Sequence, residues 1–137
     1  MSPESRRMAG LLLVILPSVM FGGVSILTLL IRDPAYMANP LRQDLWRAGH
    51  AHAGVFLILS LVALRYVDEA ALSEGLKHFV RAGIPSAAIL LPLAFFLSVL
   101  APDATEPNAM INVAYLGAVV VAAAVVTLGI GLLRRRT

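Results

Sequence analysis

Cysteine is absent from the 137 residues, which removes disulfides, thiolate metal sites and iron–sulfur clusters from consideration. Charge is nearly as scarce. Only 14% of residues are Asp, Glu, Lys or Arg and 59% are apolar, where a soluble domain carries about 25% charge. Glycine patterns that cradle nucleotide phosphates are missing as well, and no serine has a base beside it in sequence, so neither phosphate-loop chemistry nor nucleophilic catalysis is written in the chain.

The few charges are clustered. Four stretches contain none at all: Ala9 to Ile31, Ala48 to Leu64, Ala82 to Pro102 and Asn108 to Leu133. A helix crosses ~30 Å of hydrocarbon with about 17–25 residues, and these runs lack the alternation of a barrel strand. Only helices or closed barrels satisfy their backbone groups in lipid. The expected fold is therefore all-α, a single integral membrane four-helix bundle with spans at about 9–31, 48–66, 82–102 and 110–133. Short loops join the spans. The first run follows Arg6 and Arg7 like a signal peptide, but its apolar core exceeds the ~7–15 residues of a signal sequence, so it reads as a retained span.

With four spans both termini share one side. That side holds Arg6, Arg7, Arg65, Lys77, Arg81 and Arg134 to Arg136, against Arg32, Arg42 and Arg47 on the other. The positive-inside rule places both ends in the cytoplasm of a cell whose inner membrane the chain spans. Topology thus accounts for a basic chain with a pI near 10.0, and no nucleic-acid partner is expected.

Local signals refine this outline. Asn39-Pro40 is a helix start, with the asparagine as cap and the proline in the first turn. The second helix then begins about two turns above the bilayer. Tyr36 and Trp46 suit the aromatic belt. In the middle loop Leu72, Leu76 and Phe79 form an amphipathic stretch expected on the inner surface. Pro17, Pro85 and Pro92 fall inside spans, as hinges or as the prolines that membrane helices ordinarily tolerate. Small residues four apart are expected to seat neighbouring helices: Ser18 and Gly22, Gly49 and Ala53, and Ala114, Ala118 and Ala122. Arg32 with Asp33, and Asp44 with Arg47, are candidate ion pairs. The span hydroxyls are expected to bond back to their own helices.

The motif that calls for explanation is RAGHAHAG, residues 47–54. On a helix His50 and His52 diverge by roughly 200°, so they do not chelate one ion together. His50 shares a face with Gln43, Arg47 and Gly54, and His52 lies with Phe56 and Leu59. His78 belongs to the opposite membrane surface. A second ligand must come from the outer rim, from Met37, Met110, Tyr36, Tyr115, Asp33, Asp103 or Glu106, or from another subunit. A His–Met set suits copper or a haem b, and a His–carboxylate set suits zinc. Rim histidines are otherwise bonded to water, headgroups or loop carbonyls, or linked to protons.

GHAHAG ahead of a long apolar helix resembles the His-bearing helix of small bacterial membrane proteins similar to the haem–copper oxidase catalytic subunit. It also resembles uncharacterised four-span bacterial membrane proteins. The resemblance covers about a dozen residues and implies a haem or metal contact at His50 or His52. The further histidines an oxidase needs on other helices are absent, so oxidase chemistry is not implied. The expected site is the outer rim: His50, His52 and Arg47 for a cofactor, with Arg47 facing an anion or propionate, and His50, His52 and Met110 for a metal. The expected role is a non-catalytic accessory or self-associating component in the lipid bilayer, partnered by other membrane subunits or forming a homo-oligomer. A haem- or metal-binding redox component and a small oligomeric transporter or channel are the alternatives.

Overall fold

The computed structural model describes residues 1–134; Arg135 and Arg136, counted in the charge argument above, lie outside the described residues. Helix α1 spans Pro3–Arg32, α2 is the single turn Pro34–Met37, α3 spans Pro40–Tyr66, α4 Glu74–Ser98 and α5 Asn112–Leu133, the last entered through a 3-10 turn at Ala109–Ile111. Four of these helices are long and apolar enough to cross a membrane. The protein is an all-α, multi-pass membrane chain, and an even number of spans returns both ends to one surface.

Polar caps set the helix starts. The Ser2 hydroxyl accepts the Ser5 amide at 3.1 Å, with Pro3 following in the first turn. Asp33 accepts the Ala35 and Tyr36 amides at 3.0 and 3.3 Å ahead of Pro34. It serves as the cap of α2 and forms no ion pair with Arg32, contrary to expectation. Asn39 caps α3 as the sequence suggested, accepting the Arg42 amide at 3.1 Å. Its side-chain amide also donates to the Pro102 and Ala104 carbonyls at 3.0 and 2.9 Å, which ties the first outer loop to the other.

One expectation needs correction. The amphipathic stretch does not lie wholly in the middle loop; Leu76 and Phe79 are in the opening turns of α4, which begins at Glu74 under a Ser73 cap. Leu72 stays in the loop and fills the space beside Gly131, whose carbonyl accepts the Ala71 amide at 2.8 Å. Helices α1 and α4 run unbroken through Pro17, Pro85 and Pro92.

The long helices pack in the order α1–α3–α4–α5. Ile84, Ala87 and Leu91 of α4 sit between Ala63 of α3 and Val121, Ala124 and Leu128 of α5. A smaller cluster, Leu12 with Leu57 and Leu64, joins α1 to α3. Lipid tails are as apolar as these side chains, so the seams depend on close van der Waals fit. Glycine provides it at α4–α5: a Cβ at Gly83 would stand 3.2 Å from the Ala124 Cβ, and one at Gly117 would collide with Leu91. Gly49, picked out by the sequence, meets Phe96 in the same way at 3.2 Å. The alanine row on α5 does not: Ala118 and Ala122 face outward, and the packed row is Gly117, Val121, Ala124 and Leu128.

Candidate functional site

His50 and His52 lie toward the end of the bundle at which α3 begins. Their rings leave α3 on opposite sides, as helical spacing requires. His50 reaches α1 at Gly22 and Gly23, where a Cβ on Gly23 would stand 2.8 Å from Nε2. Two glycines in succession make room for that ring. The groove between α1 and α3 at this level is about 520 Å³, walled by Leu16, Val19, Met20, Val55 and Ile58 around His50. The His50 ring makes no hydrogen bond among the described residues.

His52 turns to α4 and lies 5.3 Å from the Phe95 ring and 5.6 Å from that of Phe56. Its Nδ1 is 2.7 Å from the Ala48 carbonyl. A carbonyl only accepts, so Nδ1 carries the proton in this contact, and the neutral ring with that tautomer has its lone pair on Nε2. A backbone-anchored Nδ1–H of this kind is the support a ligating imidazole commonly has.

The remaining site residues do not gather around either ring. Arg47 pairs with Asp44 at 2.8 Å, as expected from their spacing, and also donates to the Gln43 carbonyl at 3.1 Å; both members of the pair are more than half exposed. Met110 sits exposed in the turn that leads into α5, on the α4 side of the bundle, whereas His50 faces α1. Among the described residues no three His, Asp or Glu side chains come together as a metal site. Each ring therefore offers a single imidazole as a ligand on its own side of α3. The span hydroxyls of Ser18, Ser25, Thr28, Ser60, Ser86 and Ser98 each donate to a carbonyl of their own helix, as expected, whereas Thr127 makes no side-chain hydrogen bond among the described residues.

Two buried arginines were not foreseen as structural centres. At the same end as His50 and His52, Arg42, 7% exposed, reaches from the start of α3 across to α4. Its Nε donates to the Val99 carbonyl at 3.1 Å, and its guanidinium lies 4.4 Å from the centre of the Trp46 ring. The cation thereby meets the negative end of α4 and an aromatic face together. Trp46 also donates to the Phe96 carbonyl at 3.3 Å and packs edge-on against the Phe96 ring. Tyr36 closes the cluster, fully buried with its hydroxyl unpartnered among the described residues. Burial pushes that phenol above its ordinary value against the opposing pull of Arg47 and Arg42.

At the opposite end, where α1 and α4 begin, Arg81, 6% exposed as a residue, binds Asp68 at 2.6 Å, Glu4 at 3.0 Å and the Ser5 hydroxyl at 3.1 Å. Asp68 also accepts the Ser2 amide at 2.6 Å and the Ser5 hydroxyl at 3.2 Å. Burial alone would push the Asp68 carboxyl up. The Ser2 amide, the Arg81 guanidinium and the two serine hydroxyls outweigh it and hold the group well below the usual carboxylate range. This network joins the first turn of α1, the α3–α4 loop and α4. Its members lie up to 79 residues apart in sequence, and only the placement of an arginine at the edge of an apolar run hinted at it. The chain matches none of the protein-family models, curated proteins or solved structures with which it was compared.

Proposed function

We propose that the protein is a non-catalytic component of the cell (inner) membrane, with both termini cytoplasmic, that associates through its α1–α3 face with another membrane chain, either a further subunit or a second copy of itself. The observation that carries this reading is His50. Its imidazole faces a lipid-side groove without a hydrogen bond among the described residues. Apolar area alone gives helices in lipid little reason to associate, so recognition rests on close packing and on polar groups that gain a partner. Helix α1 supplies the surface around it: beyond Leu12, no residue of its apolar run is buried within the chain.

The absence of cysteine makes the test direct. Single cysteines at Met20 and Val55, on the groove, should cross-link in native membranes to one defined species, and His50→Leu should reduce the yield. A cysteine at Val126, on the outward face of α5, should not. The product mass distinguishes a copy of this chain from a different subunit. Equal cross-linking from Val126, or none from the groove, would overturn the reading. Periplasmic accessibility of a C-terminal tag would overturn the orientation.

A haem- or metal-binding role is the second reading, supported by the anchored Nδ1–H of His52 and the lone pair left on Nε2. The protein holds one imidazole ligand at most on each side of α3, so a partner would complete the shell. Gently solubilised protein should then absorb in the visible or contain stoichiometric metal, and His52→Ala should abolish the signal. A colourless, metal-free preparation that still cross-links at the groove leaves the first reading alone.

A further inference from the structure

A second groove opens on the other flank of α1, at the inner end, where α1 and α4 diverge. It encloses about 740 Å³, within the ~300–1,000 Å³ typical of small-ligand sites. Its wall is apolar, formed by Met8, Leu11 and Val14 on α1 and Ala82 on α4, and Gly10 keeps it open, with nothing within 4 Å of where a Cβ would stand. Its mouth is polar: the guanidinium groups of Arg7 and Arg81 and the imidazole of His78, with Glu4 the one acid among the lining residues.

The order of these residues along the membrane normal matters. Arg7 and Arg81 are the last charges before the apolar runs that start at Ala9 and Ala82, so the cations stand at headgroup level and the apolar wall lies below them, in hydrocarbon. Glu4 is already engaged by Arg81 at 3.0 Å, and Asp68 balances the same guanidinium at 2.6 Å. The side chains of Arg7 and His78 make no ion pair or hydrogen bond among the described residues. Arg81 is thus more than balanced by acids, with Glu74 also at 3.9 Å, and the mouth's free basic groups are the Arg7 guanidinium and the His78 imidazole, directly above a greasy cleft. Basic clefts between spans at the cytoplasmic surface are sites where anionic headgroups bind.

We infer that this groove holds an anionic phospholipid of the leaflet facing the termini, its phosphate against Arg7 and His78 and one acyl chain between Leu11, Val14 and Ala82. The inference stands independently of the association proposed through His50, since it concerns the opposite flank of α1 and the other end of the bundle.

Native mass spectrometry of the full chain in neutral detergent, titrated with phosphatidylglycerol or phosphatidylcholine, tests it. One phosphatidylglycerol should bind in preference to phosphatidylcholine. Arg7→Gln should weaken that binding about fivefold, the weight of one basic side chain at an anionic surface, and Arg7→Lys should restore most of it. Gly10→Leu fills the cleft while raising helix propensity, so it should lose the lipid without unfolding the protein. Arg32→Gln removes the same charge at the opposite surface and should change nothing. Equal binding of the two lipids, equal losses from Arg7→Gln and Arg32→Gln, or full retention in Gly10→Leu would each overturn the assignment.

Discussion

Replacing Asp68 by asparagine preserves shape and removes the charge that Arg81 faces at 2.6 Å. Breaking a fully buried ion pair by removing one partner costs ~3–5 kcal/mol. Here the Asp68 side chain keeps 16% of its exposure, and Glu4 stays behind at 3.0 Å. The expected loss is correspondingly smaller, about 2–3 kcal/mol. Glu4 is 73% exposed, so Glu4→Gln should cost only ~0–1 kcal/mol. Adding Arg81→Met to Asp68→Asn removes the stranded cation, and the double variant should be less damaged than the sum of the singles by at least about 1 kcal/mol. Unfolding in mixed micelles followed by helical circular dichroism measures all four. The same carboxylate sets a pH dependence. Its folded value lies below its unfolded one of ~3.9, so its stabilisation is complete above that value and drains away as pH falls towards the depressed folded value. Acid should therefore weaken the native protein below roughly pH 5 and narrow its advantage over Asp68→Asn. If Asp68→Asn were no worse than Glu4→Gln, or the cycle were additive, the inner network would not be holding α1 in place.

Three further outcomes follow from the packing. Gly117→Ala drives a methyl into Leu91 and should destabilise by about 1–3 kcal/mol, whereas Gly129→Ala, with open space around it, should be neutral or slightly stabilising in the same unfolding assay. Arg42→Lys keeps the charge but loses the planar stack on Trp46 and the Nε bond to Val99; a loss of about 1–2 kcal/mol and a shifted Trp46 emission are expected. Gly23→Ala places a methyl 2.8 Å from the His50 Nε2, which a ring rotation relieves, so it should reproduce the cross-linking defect of His50→Leu at little cost in stability.

The spans were legible because length and the absence of charge are sufficient signals in lipid, and Asn39-Pro40 because a cap followed by proline has a local mechanism. Asp33-Pro34 carries the same pattern six residues earlier, but the neighbouring Arg32 suggested an ion pair and hid it. The phase of α5 was not legible. That helix is apolar on every side, so hydropathy says nothing about which face meets α4, and alanines four apart competed with the glycines that actually touch Leu91 and Leu72. The divergence of His50 and His52 followed from helical geometry alone. What each ring touches did not, because Gly23 and Phe95 come from other helices. Arg81 and Arg42 counted only as surface charges in the topology argument. Their burial depends on Ser5, Asp68 and Val99, and no local pattern joins residues that far apart.

These two arginines explain why the remaining polar groups stand out. Arg81 bolts the start of α1 and the α3–α4 loop to α4, and Arg42 bolts the start of α3 to the end of α4. Arg81 is paired with carboxylates of the chain, whereas Arg42 gives its Nε to Val99 and lies over Trp46 with no carboxylate partner among the described residues. Once they and the helix-bonded hydroxyls are accounted for, the uncommitted polar side chains near the spans include His50, Arg7 and His78, and all three line grooves that flank α1. That helix is also the one seated on the smaller of the two apolar clusters and fastened at its inner end by Asp68 and Arg81. A helix braced at one end and flanked by open grooves can adjust to an occupant on either side without disturbing the α3–α4–α5 core. The chemistry of this protein is therefore to be sought along α1 and not within the packed seam.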